Sequence, residues 1–134
     1  MDNLKMYNYM MIVGNGVDIV DLKRFRVMDE RRLGRIANRI LTEPELSEFT
    51  NTPDQLKHIF LSKHWAVKEA VAKSFGTGIR GNVVWKNIQM QKTQLGQPTV
   101  QFKSALHKPG SNCHVSISHD GDYVIAYAVL EYVY

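Results

Sequence analysis

Residues 60–78 read Phe60-Leu61-Ser62-Lys63-His64-Trp65-Ala66-Val67-Lys68-Glu69-Ala70-Val71-Ala72-Lys73-Ser74-Phe75-Gly76-Thr77-Gly78, and the character of the chain changes across this stretch. Just upstream, Thr52-Pro53-Asp54-Gln55 has the spacing of a helix start: Thr52 as cap, Pro53 at the first helical position and Gln55 reaching back. The longest helix is therefore expected over residues 53–75. Leu56, Phe60, Val67, Val71 and Phe75 fall on one of its faces, and Gly76 supplies the stop. Beyond the loop 76–81 the periodicity becomes that of strands, expected over residues 84–91, 97–103, 112–118 and 123–132. Leu95-Gly96, Lys108-Pro109-Gly110 and Asp120-Gly121-Asp122 mark the turns between them.

Before the long helix, residues 11–20 read as a buried strand, apolar except for Gly14, Asn15, Gly16 and Asp18. Asp21 can cap a short helix over residues 22–27, because its carboxylate can accept from N–H groups that lack an intrahelical partner. A second helix is expected over residues 30–40. Leu41-Thr42-Glu43-Pro44-Glu45-Leu46 then starts a third, with Thr42 and Glu45 at capping-box spacing and Leu41 and Leu46 placed for a hydrophobic staple. Helices in the first half and strands in the second predict an α+β fold, with helices packed on an antiparallel sheet.

The length of 134 residues fits one domain. That domain is expected over residues 11–134, with residues 1–10 a possible N-terminal extension. Cys113 is the only cysteine, so no intramolecular disulfide or thiolate cluster can form, which fits a reducing compartment. The start lacks a long apolar h-region and a small-residue cleavage site, so no signal peptide is expected. No run of about eighteen apolar residues exists to cross a bilayer. These features predict a soluble cytoplasmic protein with no membrane partner.

The net charge is +4, and Lys23, Arg24, Arg26, Arg31, Arg32, Arg35 and Arg39 crowd into seventeen positions. Such a cluster is either a solvated helix face or a seat for an anionic partner. Phe25 is the only aromatic residue among them and there is no nucleic-acid-reading motif, so no nucleic acid is expected.

Two acids sit where burial is expected: Asp18 at the end of an apolar strand and Glu69 amid alanines and valines. A buried carboxylate needs a cation, hydrogen bonds or a metal. Together with phosphate oxygens and waters, Asp18 and Glu69 can form a hard-oxygen magnesium site. Equally, Glu69 and Lys73 lie one helical turn apart and can simply pair. In 113–120, strand alternation puts His114, Ser116 and Ser118 on one face and Val115 and Ile117 on the other. His119 falls at the strand end, where a group titrating near neutrality can exchange protons, with Asp120 beside it. Gly76-Thr77-Gly78 can bring backbone amides and a hydroxyl close to phosphate, or can simply end the helix.

Taken together, residues 14–20 (Gly-Asn-Gly-Val-Asp-Ile-Val), 41–46, 60–78 and 114–119 (His-Val-Ser-Ile-Ser-His) resemble, in order and spacing, the holo-acyl-carrier-protein synthase family of phosphopantetheinyl transferases. The resemblance implies a Mg2+-dependent enzyme that moves 4′-phosphopantetheine from coenzyme A to a serine of apo-acyl carrier protein. It further implies a homotrimer with active sites between neighbours, so that one copy carries half a site. On this resemblance Asp18 and Glu69 would hold the metal and Lys73 would face the phosphates. Gly76, Thr77, Gly78, Ser116, Ser118 and His119 would line the nucleotide pocket. Glu69 would be the base, with His119 and Asp120 the second choice. Arg24, Arg32, Arg35 and Arg39 would meet the acidic carrier.

The chain departs from the family pattern at Asn15, usually apolar, and at His64-Trp65, usually Arg-Phe. His64 is retained as a cofactor contact, but its lost permanent charge would weaken the hold on a coenzyme A phosphate unless Lys63 substitutes. A noncatalytic coenzyme A or nucleotide binder on the same fold is the alternative. Retention of Asp18, Glu69 and Lys73 argues against it.

Overall fold

The computed structural model describes residues 9–103 and 106–134. A long first strand, β1 (Met10–Asp21), leads into three short helices, α1 (Leu22–Arg26), α2 (Glu30–Ile40) and α3 (Glu43–Asn51). A 3-10 turn over Asp54–Leu56 precedes the longest helix, α4 (Lys57–Ser74). Strands β2 (Ile88–Lys92), β3 (Pro98–Phe102), β4 (Ser111–Asp120) and β5 (Tyr123–Val133) follow. β1, β5 and β4 form an antiparallel sheet in that order, while β2 and β3 form a separate hairpin. The α+β architecture read from the sequence is the one observed.

Local chemistry explains most of the boundaries. Asp21 caps α1 through Lys23 N (3.0 Å), Asp29 caps α2 through Arg32 N (2.8 Å), and Glu45 reaches back to Thr42 N (2.8 Å) at the start of α3. Two expectations fail. Thr52 does not cap the long helix; its Oγ1 donates back to Glu48 O (2.8 Å), closing α3, and the regular helix begins only at Lys57. Leu56 consequently stays exposed. Residues 84–87 are not strand either: Trp85–Asn87 is a 3-10 turn that turns the Trp85 ring into the core. β1 starts at Met10, which pairs with Val133, one residue earlier than expected. Residues 1–8, most of the expected extension, lie outside the described residues.

α4 lies against β1 and β5 on one side and against the other helices and the β2 segment on the other. It is therefore buried nearly all round rather than on the single expected face: Leu61, Ala66, Val67, Ala70, Val71 and Ala72 are wholly enclosed. Two glycines set how closely it approaches the sheet. A Cβ on Gly14 would lie 1.9 Å from Ser74 O, and one on Gly16 would lie 2.0 Å from Ala70 O, so backbone meets backbone there and no side chain fits.

The sheet's two faces differ. Gly16, Ala128 and Val115 form one cross-strand row under α4; Asp18, Ala126 and Ile117 form the next, and Val20, Val124 and His119 the one after. The opposite face carries the rows Val17, Tyr127, Ser116 and Ile19, Ile125, Ser118. There Val17, Ile19, Ile125 and Tyr127 are 40–60% exposed, an uncovered apolar surface on an otherwise well-packed sheet.

Candidate active site

Close packing at Gly14 and Gly16 brings the Glu69–Lys73 turn of α4 against Asp18 of β1. Lys73 Nζ donates to Asp18 Oδ1 (3.2 Å) and to Val17 O (2.9 Å). The local pairing of Glu69 with Lys73 is not what forms: Lys73 turns to the strand, and Glu69 has no ion pair among the described residues. Asp18 Oδ2 is buried with no hydrogen-bond partner. Glu69 is half-buried, and its carboxyl is held above the usual range by burial and then by the charge of Asp18, against the opposing pull of Lys73 and Arg24. Arg24 therefore stands beside this centre. Its guanidinium lies over the rings of Phe25 (5.4 Å) and Trp65 (5.1 Å), where Phe25 and Trp65 meet edge to face.

Two carboxylates near enough for the charge of one to shift the other, one of them with a buried oxygen left unpaired, fit a small divalent cation. Magnesium takes one or two protein carboxylates and keeps much of its water, so a two-acid site suits it. Among the described residues no group of three or more His, Cys, Asp or Glu gathers as a fuller metal cage would require.

The remaining sequence-nominated residues are dispersed. Gly76 and Gly78 adopt φ of 81° and 67° in the turn that ends α4, and Gly78 N returns to Ala72 O (3.2 Å). Thr77 is exposed, its hydroxyl on Gly78 O (2.9 Å). Ser116, Ser118 and His114 are on the sheet face away from α4, and Asp120 shares it. His119 is on the α4 side, but two strands and two residues from Asp18, about 12 Å by strand geometry. It lines a cavity of about 350 Å³ with Lys63, His64, Lys92, Phe60 and Ile117. Arg32, Arg35 and Arg39 project from the exposed face of α2.

His64, expected as a cofactor contact without the permanent charge of an arginine, is enclosed rather than exposed. The ring is buried, stacks on Phe60 (4.2 Å between centroids), and has Nδ1 2.9 Å from Phe60 O. Burial pulls its pKa from 6.5 to about 4, so it is neutral, and Nε2 has no hydrogen-bond partner. Lys63 and Lys92 are the cations of that cavity.

Sequence reasoning missed Lys68. Its ammonium is fully buried and donates to Glu45 Oε1 (2.6 Å), Ile40 O (2.6 Å) and Trp85 O (3.1 Å), while Glu45 Oε2 accepts from Met90 N (2.8 Å). Burial draws the Lys68 pKa down and Glu45 opposes that shift. Burial alone would raise the Glu45 carboxyl, but Lys68 foremost holds it below the usual range. A signal existed: Lys68 falls on the same helical face as Leu61, His64 and Val71, where an unpaired lysine cannot stay buried.

Residues 14–128 match the model of the 4′-phosphopantetheinyl transferase superfamily. A holo-[acyl-carrier-protein] synthase from Geobacillus kaustophilus is 39% identical over 90% of this chain and 90% of its own length. One from Bacillus subtilis is 38% identical over 90% of this chain and 97% of its own. The crystal structure of the Neisseria meningitidis holo-[acyl-carrier-protein] synthase superposes with a TM-score of 0.80 at 39% identity, covering 90% of this chain and 98% of that one. That of the Bacillus anthracis enzyme, in complex with CoA (3′,5′-ADP), superposes at 0.78 and 32% identity, covering 92% and 99%.

Proposed function

The chain belongs to the 4′-phosphopantetheinyl transferase superfamily, and on that premise we propose a mechanism centred on Asp18, Glu69 and Lys73. The protein is an enzyme that transfers 4′-phosphopantetheine from coenzyme A to a serine of apo-acyl carrier protein, releasing adenosine 3′,5′-bisphosphate. The observation that carries the site assignment is the junction of β1 and α4, where Lys73 holds Asp18 Oδ1 and the other oxygen of Asp18 is left buried and unpaired beside Glu69.

Asp18 and Glu69 would hold magnesium, which when bound supplies positive charge to the pyrophosphate oxygens. The carrier serine Oγ attacks the β-phosphorus, and the bond to the bridging pyrophosphate oxygen breaks. Glu69 takes the serine proton, and His119 of the same copy lies across β5 from Asp18. Lys73 Nζ offsets charge on the phosphoryl oxygens. Arg24, Arg32, Arg35 and Arg39 offer an exposed basic surface for an acidic carrier.

The enzyme is proposed to work as a homotrimer. Gly14, packed on Ser74 just before the Gly76–Gly78 turn, is in the cross-strand row of Cys113. His119 is six positions further along β4 than Cys113, about 20 Å of strand. That separation within one copy supports a nucleotide pocket assembled from two copies. The uncovered Val17, Ile19, Ile125 and Tyr127 surface supplies apolar area for their contact. A cytoplasmic location is proposed on the single thiol of Cys113, whose pKa burial pushes up to about 11. Among the described residues no helix is long and apolar enough to cross a membrane. Residues 11–134 are proposed to act as one domain.

Mass spectrometry of apo-acyl carrier protein incubated with the enzyme, coenzyme A and magnesium tests the assignment. A phosphopantetheine mass gain that is lost in Glu69→Ala and on chelation is expected. Full transfer by Glu69→Ala would remove Glu69 from both its roles. Sedimentation of wild type and Ile125→Lys tests the assembly: a trimer reduced to inactive monomer is expected, and an active wild-type monomer would overturn it.

A further inference from the structure

Among the described residues Lys73 is the only cation paired with Asp18, and the two halves of that pair differ in exposure. The Asp18 side chain is 16% exposed and its Oδ2 is buried without a partner, whereas the Lys73 side chain is 49% exposed. The root of Lys73 is fixed, because its Cβ packs so closely on β1 that a Cβ added to Gly16 would lie 2.9 Å from it. Beyond that root a flexible stem carries the ammonium, which donates to Asp18 Oδ1 (3.2 Å) and to Val17 O (2.9 Å). The carboxylate is thus held in place, while the ammonium can turn to another acceptor.

This pair bears on the metal. With all three groups ionised, Asp18 and Glu69 contribute two negative charges and Lys73 one positive charge, so the ammonium halves the net charge of a seat for a dication. Cation and ammonium also compete for the same Asp18 carboxylate. A pyrophosphate offers Lys73 more negative charge than one carboxylate does, and an ion pair this open to water exchanges at little cost. Transfer of the ammonium to phosphate restores to Asp18 its whole charge.

We propose that Lys73 is a displaceable counter-ion of Asp18: the pyrophosphate of coenzyme A draws it away, so that coenzyme A and the divalent cation strengthen one another's binding. The proposal rests on the transferase reading above and deepens it by naming the residue that couples cofactor loading to substrate loading. The coupling is reciprocal by linkage, so the cation strengthens coenzyme A binding by the same factor. It makes the enzyme a poor binder of the cation alone.

Binding of Mn2+ as a stand-in for magnesium, counted from the electron paramagnetic resonance of the free ion, tests this without carrier or turnover. For the enzyme alone, Lys73→Gln is expected to bind Mn2+ about three- to ten-fold more tightly than wild type. With coenzyme A present the advantage shrinks to within about two-fold, because Lys73 has then left Asp18 in the wild type. Arg24→Gln is the control for charge alone. The Arg24 guanidinium is felt by Glu69 but lies over the Phe25 and Trp65 rings, and its loss should change the Mn2+ Kd by less than about two-fold. An unchanged or weaker Mn2+ affinity in Lys73→Gln, an advantage undiminished by coenzyme A, or an equal gain in Arg24→Gln overturns the proposal. Should Lys73→Gln melt early, Lys73→Met, which keeps the apolar stem, is read by the same criteria. A wild type that neither binds Mn2+ with coenzyme A nor transfers phosphopantetheine sinks the transferase reading instead, so the two failures are distinguishable.

Discussion

Lys68 and Glu45 form a closed buried pair, 2.6 Å between Nζ and Oε1, in which two backbone carbonyls and two backbone amides complete the hydrogen bonding. The pair joins α4 to the end of α2, the start of α3, the Trp85 turn and β2. Because Glu69 is the next residue on α4, pinning Lys68 toward the helical layer turns Glu69 about 100° away from it, toward β1.

Lys68→Met leaves the Glu45 carboxylate buried without its cation and is expected to cost about 3–5 kcal/mol. The double variant Lys68→Met/Glu45→Leu removes both charges and should recover most of that loss. Urea denaturation measures both. A single variant as stable as wild type would mean that Glu45 is not dependent on Lys68.

His64 makes stability pH-dependent in a definite direction. Its folded-state pKa is depressed from 6.5 to about 4, so the neutral form is favoured by folding; the contribution is complete above about 6.5 and is lost as pH falls toward 4. The span corresponds to about 3 kcal/mol. His64→Leu should flatten the fall in unfolding free energy between pH 6.5 and 4, read by urea titration at several pH values. An unchanged slope would mean that His64 is not the group responsible.

For Glu69 the sign is reversed. Its pKa is raised, so proton binding favours the fold below the ordinary carboxylate value, and that contribution is lost as pH rises through the folded-state pKa. Above that pKa the ionised carboxylate opposes folding. Glu69→Gln should therefore raise the melting temperature while transfer falls by about 100-fold or more. Loss of both activity and melting temperature would show that Glu69 supports the fold rather than burdening it.

Gly16→Ala would drive a Cβ to 2.0 Å from Ala70 O, a backbone atom that cannot swing aside. Relief requires separation of β1 from α4, at a cost of about 3 kcal/mol, and opens the gap between Asp18 and the Glu69–Lys73 turn. Activity should fall further than stability at a temperature where the variant remains folded, as circular dichroism and the transfer assay together report. Gly34→Ala, where a Cβ meets nothing within 4 Å, is the control: inside α2 it should leave activity unchanged and raise stability by about 0.5–1 kcal/mol.

Much of this was legible in the residues themselves. The bounds of α2, the reach of Glu45 to Thr42 N and the Asp21 cap are set by groups within five positions of one another, and so are encoded locally. The alternation of 113–118 correctly separated Ser116 and Ser118 from Val115 and Ile117. Asp18 and Glu69 stood out because isolated carboxylates in apolar surroundings need a cation. What the sequence could not decide was which distant group each side chain meets. Lys73 has Glu69 one turn away yet holds Asp18, His64 is expected as a cofactor contact yet is buried and neutral, and the partner of Lys68 is Glu45, on another helix. Each outcome depends on the rotation of α4 and on its backbone contact with Gly14 and Gly16. Periodicity and capping are short-range and written in the chain, whereas ion pairing and desolvation are decided by how elements far apart in sequence come to touch.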